Sequence, residues 1–279
     1  MLQNQRIIFS DNGVESDLSL NLNNFRTGNV ILPYVVNQDY LYIGTDLPFN
    51  HKYIDILTVN DVAATVNIEI WYSNAWIAAV DIIDETSVSG KALAQSGIIQ
   101  WKTNRLKGWS KEQDSEDVGD IATVGIYNMY WIRMKWNASL KATTTLKYIG
   151  YKFSNDSALY GYYPDLNNDQ IKASFATGKT DWNEQHFIAA EQIIRDLKTR
   201  NLIISSHQIL DYEHFLEPAI HKVAEMIYCG LGKAYEENRK LAKTYYDNAL
   251  KLNFFNVDRN ADANLSESER SVSTSWLSR

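Results

Sequence analysis

The residues best spaced for chemistry lie near the C-terminus, in the stretch DRNADANLSESE. Side-chain oxygens recur there at the first, third, fifth, ninth and twelfth positions, the spacing with which an EF-hand loop surrounds Ca²⁺. Leu265 supplies the apolar eighth position, whereas Ala263 stands where the loop normally has a glycine for its sharp turn. The sequence therefore predicts either a solvated acidic tail or a metal site for calcium whose ligands are Asp258, Asn260, Asp262, Ser266 and Glu269.

Other residue types that often do chemistry lack the necessary spacing. Cys229, the single cysteine, lies in the apolar run AEMIYCGLG and is expected to pack as a small hydrophobic residue. The piece GLGKAY lacks both the glycine spacing of a phosphate-binding loop and the Ser or Thr that follows its lysine. The histidines do not have the spacing of an H-E-x-x-H metal motif; they are His51, His186, His207, His214 and His221. We therefore expect no catalytic residue and no enzymatic activity.

The eight tryptophans allow two interpretations. Exposed indole rings on a sheet face would stack on sugars, as in a carbohydrate-binding decoration or receptor-binding protein, and Trp71 and Trp109 would then carry the affinity. We favour the second interpretation, in which the rings fill the core or a subunit interface. A nucleic-acid groove is less favoured, because EQDSED cancels the nearby basic charge, which is carried by Lys102, Arg105, Lys107 and Lys111.

The elements that would hold these residues begin with a β-rich region from residue 31 to 155. In TVNIEIWYSNAWIAAVDII, apolar and polar residues alternate from Val66 to Tyr72, and the chain turns at Ser73 and Asn74. This pattern predicts a hairpin with one buried face. Further strands are predicted at residues 40–44, 53–59, 97–101, 129–136 and 145–153. Such a series of short strands predicts an antiparallel β-sandwich of the jelly-roll kind, with a long loop at 104–120.

A period of three to four residues follows, from 181 to 256, and predicts a bundle of three amphipathic helices. The first would begin with a capping box formed by Asp181 and Glu184 and end at Asn201 in the left-handed conformation. Pro218 would separate a short turn at 211–217 from the second helix at 218–231. The buried faces are expected to be formed by Phe187, Ala190, Ile194 and Leu197, by Leu216, Ile220, Val223, Ile227 and Leu231, and by Ala242, Tyr245, Ala249 and Leu252.

The predicted fold class is thus α+β, an antiparallel sandwich followed by a helical bundle. Residues 1–30 are expected to form an N-terminal arm, residues 156–180 a linker and residues 257–279 a C-terminal tail, with both ends disordered in an isolated monomer. The formal net charge of -7 gives no general attraction to nucleic acid or to anionic membranes. An apolar run long enough for a membrane span and a secretory signal pattern are both lacking, so we expect synthesis in the cytoplasm.

The helical stretches FIAAEQIIRDL, ILDYEHFLEPAIHKVAEMIY and ENRKLAKTYYDNALKL resemble the head-tail adaptor, or connector, proteins that form the neck of tailed bacteriophages. The β-rich stretches YIGTDLPFNHKYIDI, IEIWYSNAWIAAVDIID and YWIRMKWNASL are similar to sequences of phage structural proteins. The resemblance covers the chain from about residue 40 to 256.

This resemblance implies a structural virion protein located in the neck. Its copies would form a homo-oligomeric ring, usually dodecameric, between the portal protein and a tail or tail-terminator protein. DNA would pass through the lumen without specific binding, and no membrane would be contacted. The family has no catalytic residues to carry over.

Overall fold

The computed structural model describes residues 4–103, 109–112, 128–252, 254–260, 262, 269 and 272–273. Within these ranges the β-strands are β1 (Gln5–Asp11), β2 (Val14–Asp17), β3 (Val30–Ile31), β4 (Tyr40–Thr45), β5 (His51–Thr58), β6 (Val66–Tyr72), β7 (Ala75–Ala78), β8 (Val80–Asp84), β9 (Gly97–Lys102), β10 (Tyr130–Trp136), β11 (Thr145–Gly150), β12 (Phe254–Phe255) and β13 (Val272–Ser273). The predicted loop at 104–120 lies mostly outside the described residues.

Two antiparallel sheets contain most of these strands. The first sheet has six strands in the order β2-β1-β4-β10-β6-β7, and the second has five in the order β3-β11-β5-β9-β8. The predicted hairpin is confirmed: β6 pairs with β7, and Ser73 and Asn74 both have positive φ, at 47° and 62°. Two successive left-handed residues make the turn whose twist matches that of paired strands.

Side chains along the strands of the second sheet alternate between its two faces, and both faces carry buried residues. On one face, Ile54, Ile99 and Ile149 share a buried core with Ile43 and Ile132 of the first sheet. The second sheet therefore lies against the first sheet on this side.

The other face of the second sheet carries a second set of buried residues. Tyr53, Ile98 and Tyr148 form a cluster with Phe25 and Phe187, and Phe187 belongs to the helical region. The molecule is therefore layered as first sheet, second sheet and helices. The predicted α+β class and the antiparallel strands are confirmed.

The helices lie mainly in the C-terminal half of the chain. They are α1 (Ser19–Leu22), α2 (Asp156–Tyr162), α3 (Asp169–Phe175), α4 (Asn183–Thr199), α5 (Leu216–Leu231) and α6 (Glu236–Leu252). The apolar face predicted for α4 is confirmed, since its members are all buried: Phe187, Ala190, Ile194 and Leu197. The predicted left-handed residue after α4 is also confirmed, because Asn201 has a φ of 55°.

The predicted capping box of α4 is wrong. Its N-cap is Trp182, which makes no side-chain cap, and Asp181 accepts a hydrogen bond from the backbone N–H of Asn183 at 3.0 Å. Glu184 instead pairs with Arg26 at 3.1 Å. The carboxylate that the local pattern assigned to a cap is thus used in a contact with a segment more than a hundred residues away in the chain.

The predicted break before α5 is confirmed in part. A 3₁₀ turn at Glu213–Phe215 precedes α5, and Pro218 lies in the first turn of that helix, where its missing N–H costs nothing. Two expected members of the buried faces are corrected: Leu216 is 41% and Tyr245 44% exposed. Cys229 is likewise exposed and does not pack as expected.

The expected N-terminal arm is corrected. Strand β1 lies between β2 and β4 in the first sheet, and Ile7 and Ile8 are fully buried. Asn12 and Gly13, with φ of 47° and 83°, form the tight turn from β1 to β2. Apolar burial outweighs the polar, Asn-rich composition from which an arm was expected.

The expected linker is corrected as well. Residues 156–180 contain α2, a 3₁₀ turn at Pro164–Asn167 and α3. Leu159 and Leu166 are fully buried in a cluster with Trp182, whose indole N–H donates to the carbonyl of Leu166 at 2.9 Å. This segment is therefore an integral part of the helical region.

Gly44 of β4 gives a test of the outer face of the first sheet. The ring of Trp131 lies over it, and a Cβ added there would meet that ring at 2.6 Å. We expect Gly44→Ala to lower the free energy of unfolding by about 1–3 kcal/mol through overpacking. Urea denaturation measures this change.

The same substitution at Gly161 of α2, where nothing lies within 4 Å, serves as control and should be neutral or slightly stabilising. Equal effects at both glycines would contradict the packing argument.

Candidate functional site

A cleft of about 740 Å³ opens where the helical region meets the second sheet. Its walls come from strands β5 and β9, from the segment after β11 and from the turn before α5. A concave surface of this volume with a few converging polar groups is the usual form of a binding site. The polar side chains that line it include Tyr53, Glu85, Lys152, Ser154, Tyr212 and His214.

Lys152 reaches this cleft because the segment after β11 is extended. Tyr151 and Phe153 pack in the helical core, and Phe153 also borders the cleft. Lys152 alternates with them along the extended segment and lines the cleft. The Lys152 ammonium donates to Tyr53 Oη at 3.3 Å and to Asn183 Oδ1 at 2.5 Å, and both acceptors are neutral. Burial lowers the pKa of Lys152, and nearby carboxylates, with Asp55 foremost, oppose that shift.

Glu85 connects the two walls of the cleft. Its carboxylate accepts the backbone N–H of Ile98 at 3.2 Å on the sheet side. On the helical side it accepts the hydroxyl of Tyr212, also at 3.2 Å. Burial, together with the charge of Glu85, raises the pKa of Tyr212, so this hydroxyl keeps its proton and remains a donor. Glu213 lines the cleft beside it and is exposed.

Ser154, at the cleft wall, begins a hydrogen-bonded chain. Its hydroxyl contacts Nδ1 of His186 at 2.6 Å, and Nε2 of His186 contacts Asp156 at 3.0 Å. Asp156 also accepts the backbone N–H of Trp182. Burial lowers the pKa of His186 despite Asp156, so the neutral imidazole accepts from Ser154 and donates to Asp156.

The order serine, histidine, aspartate is the one that activates a nucleophile in hydrolases, although there the serine bonds to Nε2 and the acid to Nδ1. In this chain the two nitrogens are exchanged and Ser154 is only 5% exposed. These hydrogen bonds join the end of the second sheet to α2 and α4. The buried polar group therefore has a structural role.

A second polar network lies deeper at the same junction. Nδ1 of His207 contacts Asp46 at 2.7 Å and Ser205 at 3.0 Å. Both partners share one ring nitrogen, so this group is not a relay from serine to acid. Lys52, which is completely buried, donates to Tyr151 Oη at 3.3 Å. Burial lowers the pKa of Lys52 well below its usual value, and Asp46 opposes this effect.

The predicted calcium ligands are partly brought together. The backbone N–H of Asp262 donates to Asp258 Oδ1 at 3.2 Å, and Glu269 Oε1 accepts the backbone N–H groups of Arg259 and Asn260 at 2.7 and 2.8 Å. Ser266 lies outside the described residues. Within the described part of the chain, no cluster of three or more His, Cys, Asp or Glu is placed to hold a metal. Bidentate ligation by Glu269 would have to replace its two amide contacts, and calcium stays a prediction.

The loop is docked on the helical region through its first residues. The backbone N–H of Asp258 donates to the carbonyl of Gln208 at 2.9 Å, and Gln208 Nε2 donates back to the carbonyl of Asp258 at 2.7 Å. Asn256 Nδ2 donates to Asp211 at 3.0 Å. Asn256, the last residue before the expected tail, and Asp258, within the tail, are therefore held by direct hydrogen bonds.

The tryptophans proposed for sugar stacking are differently placed. Trp71 is 2% exposed and Trp101 fully buried, so neither presents a ring face to solvent. Trp109 is partly buried, with its ring 5.3 Å from Phe49. Arg105 and Lys107 of the basic group lie outside the described residues. These positions agree with the interpretation of the rings as core residues.

Sequence reasoning missed the cleft, because Glu85, Lys152 and Tyr212 carry no shared motif and come together only in the fold. One local signal was present: Lys152 is a charged residue inside an otherwise apolar strand pattern, YIGYKF. Comparison with protein-family models, with curated proteins and with solved structures finds no match to the chain. Among the described residues, no helix combines the length and apolar character needed to span a bilayer.

The buried histidines predict how stability depends on pH. Burial lowers the pKa of His207 to about 4 and that of His51 to about 3, from 6.5. Below pH 6.5 these two imidazoles bind protons in the unfolded chain but stay neutral in the folded chain. We therefore expect the free energy of unfolding to fall from pH 6.5 towards pH 4. Each proton contributes up to about 1.4 kcal/mol per pH unit.

Urea denaturation between pH 7 and 4.5 measures this fall in the free energy of unfolding. We expect His207→Asn to reduce its slope against pH by the contribution of about one proton. A matched substitution, His214→Asn, removes an exposed histidine instead. If it flattens the decline equally, the buried network is not the cause.

The calcium prediction is tested separately by thermal unfolding. Calcium at about 100 times its dissociation constant would stabilise the folded chain by about 2.7 kcal/mol. We expect a higher melting temperature in calcium but not in magnesium, and loss of that rise in Glu269→Gln. Glu237→Gln, at an exposed position of α6, is the control. Destabilisation by Glu269→Gln that is the same with and without calcium would assign Glu269 to the hydrogen-bonded loop alone.

Proposed function

We propose that the chain is a structural virion protein, a head-tail adaptor of a tailed bacteriophage. Its copies form a dodecameric ring in the neck, between the portal protein and a tail or tail-terminator protein. In this proposal the two stacked sheets are a β-sandwich of the jelly-roll kind, and α4, α5 and α6 are the adaptor-like bundle. The protein acts through contacts and makes or breaks no bond.

The observation that carries the proposal is an aromatic patch on the helical surface. It is formed by His221 and by Tyr162, Tyr163 and Tyr245. The centroids of the three tyrosine rings lie 5.4 to 5.9 Å from that of His221. Tyr162 is 56% and Tyr245 44% exposed. Aromatic side chains are concentrated in subunit interfaces, because they bury a large area and lose little conformational freedom.

The geometry of the patch supports a fixed interface. Tyr163 Oη contacts Nδ1 of His221 at 2.8 Å, which holds the central ring in place. The patch draws on α2, α5 and α6, so its shape depends on the packing of three helices. A surface that is ordered before binding loses less entropy when it associates.

The charge of the chain supports the passage of DNA. Each chain has a formal net charge of -7, so a ring of such chains would be acidic as a whole. Binding of duplex DNA depends mainly on neutralisation of phosphates by Lys and Arg. A lumen with the same negative charge would let DNA slide without sticking, as the proposal requires. The same charge gives no attraction to an anionic membrane, and the proposal includes no membrane contact.

Electron microscopy of the purified protein, alone and mixed with its portal, tests the proposal. We expect rings in the mixture, and we expect Tyr245→Asp to reduce the fraction of assembled particles at least tenfold, because it places a charge in the aromatic patch. Circular dichroism confirms that the variant is folded.

Val14→Asp adds the same charge at an exposed position of the edge strand β2 and is the control. A wild-type protein that stays monomeric with and without the portal would overturn the proposal. Equal loss of assembly in both variants would show that the aromatic patch is not the assembly interface.

A further inference from the structure

We propose that the cleft between the second sheet and the helices receives an extended segment of a partner protein, one with a lysine or arginine between apolar residues. This inference deepens the proposed function and rests on it, since it names one contact through which the subunit would hold its neighbour in the virion. Three features of the cleft support it.

The first feature is a buried hydrogen-bond donor. Lys152 is 9% exposed and lines the cleft, and its ammonium group has three N–H donors. Tyr53 and Asn183 accept two of them, and the ring of Phe187 lies 5.2 Å from the ammonium nitrogen. A cation-π contact of this kind is weaker than a hydrogen bond from a charged donor. The carbonyl oxygen of an extended backbone entering the cleft would be a stronger acceptor for the third N–H.

The second feature is the charge at the rim. Glu85 and Glu213 line the cleft and are exposed, whereas Lys152 is buried and nearby carboxylates, with Asp55 foremost, offset its positive charge. Two of the four lone-pair sites on the Glu85 carboxylate are used, by Ile98 and Tyr212. An ammonium or guanidinium group from the partner can therefore bind without displacing either contact. A phosphate-bearing ligand would meet repulsion at the same place.

The third feature is the apolar wall. Ile98 and Phe153 are buried in the cleft, and Leu216 is 41% exposed although it belongs to the first turn of α5. Side chains of an extended strand alternate between two sides, so a basic residue directed at Glu85 places its neighbours towards the apolar wall. The volume of about 740 Å³ lies in the range typical of binding clefts and accommodates a short segment.

Binding of defined peptides to the full chain, measured by isothermal titration calorimetry, tests the inference. The probes are acetyl-Ala-Leu-Arg-Leu-Ala-amide and the same peptide with Glu or Met in place of Arg. We expect the Arg peptide to bind at least tenfold more tightly than the Glu peptide, with the Met peptide between them. The double variant Glu85→Gln with Glu213→Gln should remove this preference.

Glu237→Gln is the matched control, because it removes an exposed carboxylate in the first turn of α6 that does not line the cleft, and it should keep the preference. Lys152→Met should weaken the three peptides alike, since its donor serves the backbone of the ligand, and circular dichroism checks its folding. Equal affinity for the Arg and Glu peptides, or no binding of any peptide at millimolar concentration, overturns the inference.

Electron microscopy of the wild-type protein with its portal separates the two proposals. Rings that form although no peptide binds would overturn the docking inference and support the adaptor function. Selective binding of the Arg peptide by a protein that never assembles would support the docking site and overturn the adaptor function.

Discussion

The contact of Phe187 with the outer face of the second sheet is the interaction on which the arrangement depends. Its ring centroid lies 5.0 Å from that of Tyr148, 5.0 Å from that of Phe25 and 5.7 Å from that of Tyr53. Edge-to-face and offset aromatic pairs of this kind contribute about 0.5–1.5 kcal/mol each beyond the area that they bury. Because Phe187 lies in the second turn of α4, these contacts fix the helix on the sheet and leave the cleft open beside it.

Polar contacts around this aromatic cluster set the position of the helices, whereas apolar burial supplies the driving force. Asp46 and His207 bond across the junction, and Asn50 Nδ2 donates to the carbonyl of Leu210 at 2.7 Å. Buried polar groups must find partners, so any shift of the 205–210 segment would leave several of them unpaired at once. The same reasoning explains why Lys52 tolerates complete burial: rings of Phe49 and Tyr151 face its ammonium group, at 4.8 and 4.4 Å.

Local sequence patterns predicted the elements well where one face alternates with another. The hairpin at Ser73 and Asn74 and the apolar face of α4 follow from periods of two and of three to four residues. The strand β1 was missed although Asn12-Gly13 between two short runs is a strong hairpin signal. Composition decided that prediction, because the surrounding residues are polar and rich in Asn, while the burial of Ile7 and Ile8 depends on β4.

The candidate site was beyond the reach of such patterns for a physical reason. Ser154 meets His186 across 32 residues and Ser205 meets Asp46 across 159, so no periodicity or motif joins them. The side chain of Glu184 shows the converse error, since a local capping pattern predicted one partner and the fold supplied Arg26. Tertiary contacts between polar groups are specific, and a single sequence does not reveal which of several available partners each group takes.

The position of the cleft has a consequence for how the molecule would respond to a ligand. Glu85 belongs to the sheet region and Tyr212 to the helical region, and their hydrogen bond crosses the cleft at 3.2 Å. A segment bound between Glu85 of the sheet region and Leu216 of α5 would contact both regions and would require them to be docked. A ligand that binds only the docked arrangement stabilises it by mass action. Occupation of the cleft would therefore strengthen the Phe187 junction, so that partner binding and internal rigidity increase together.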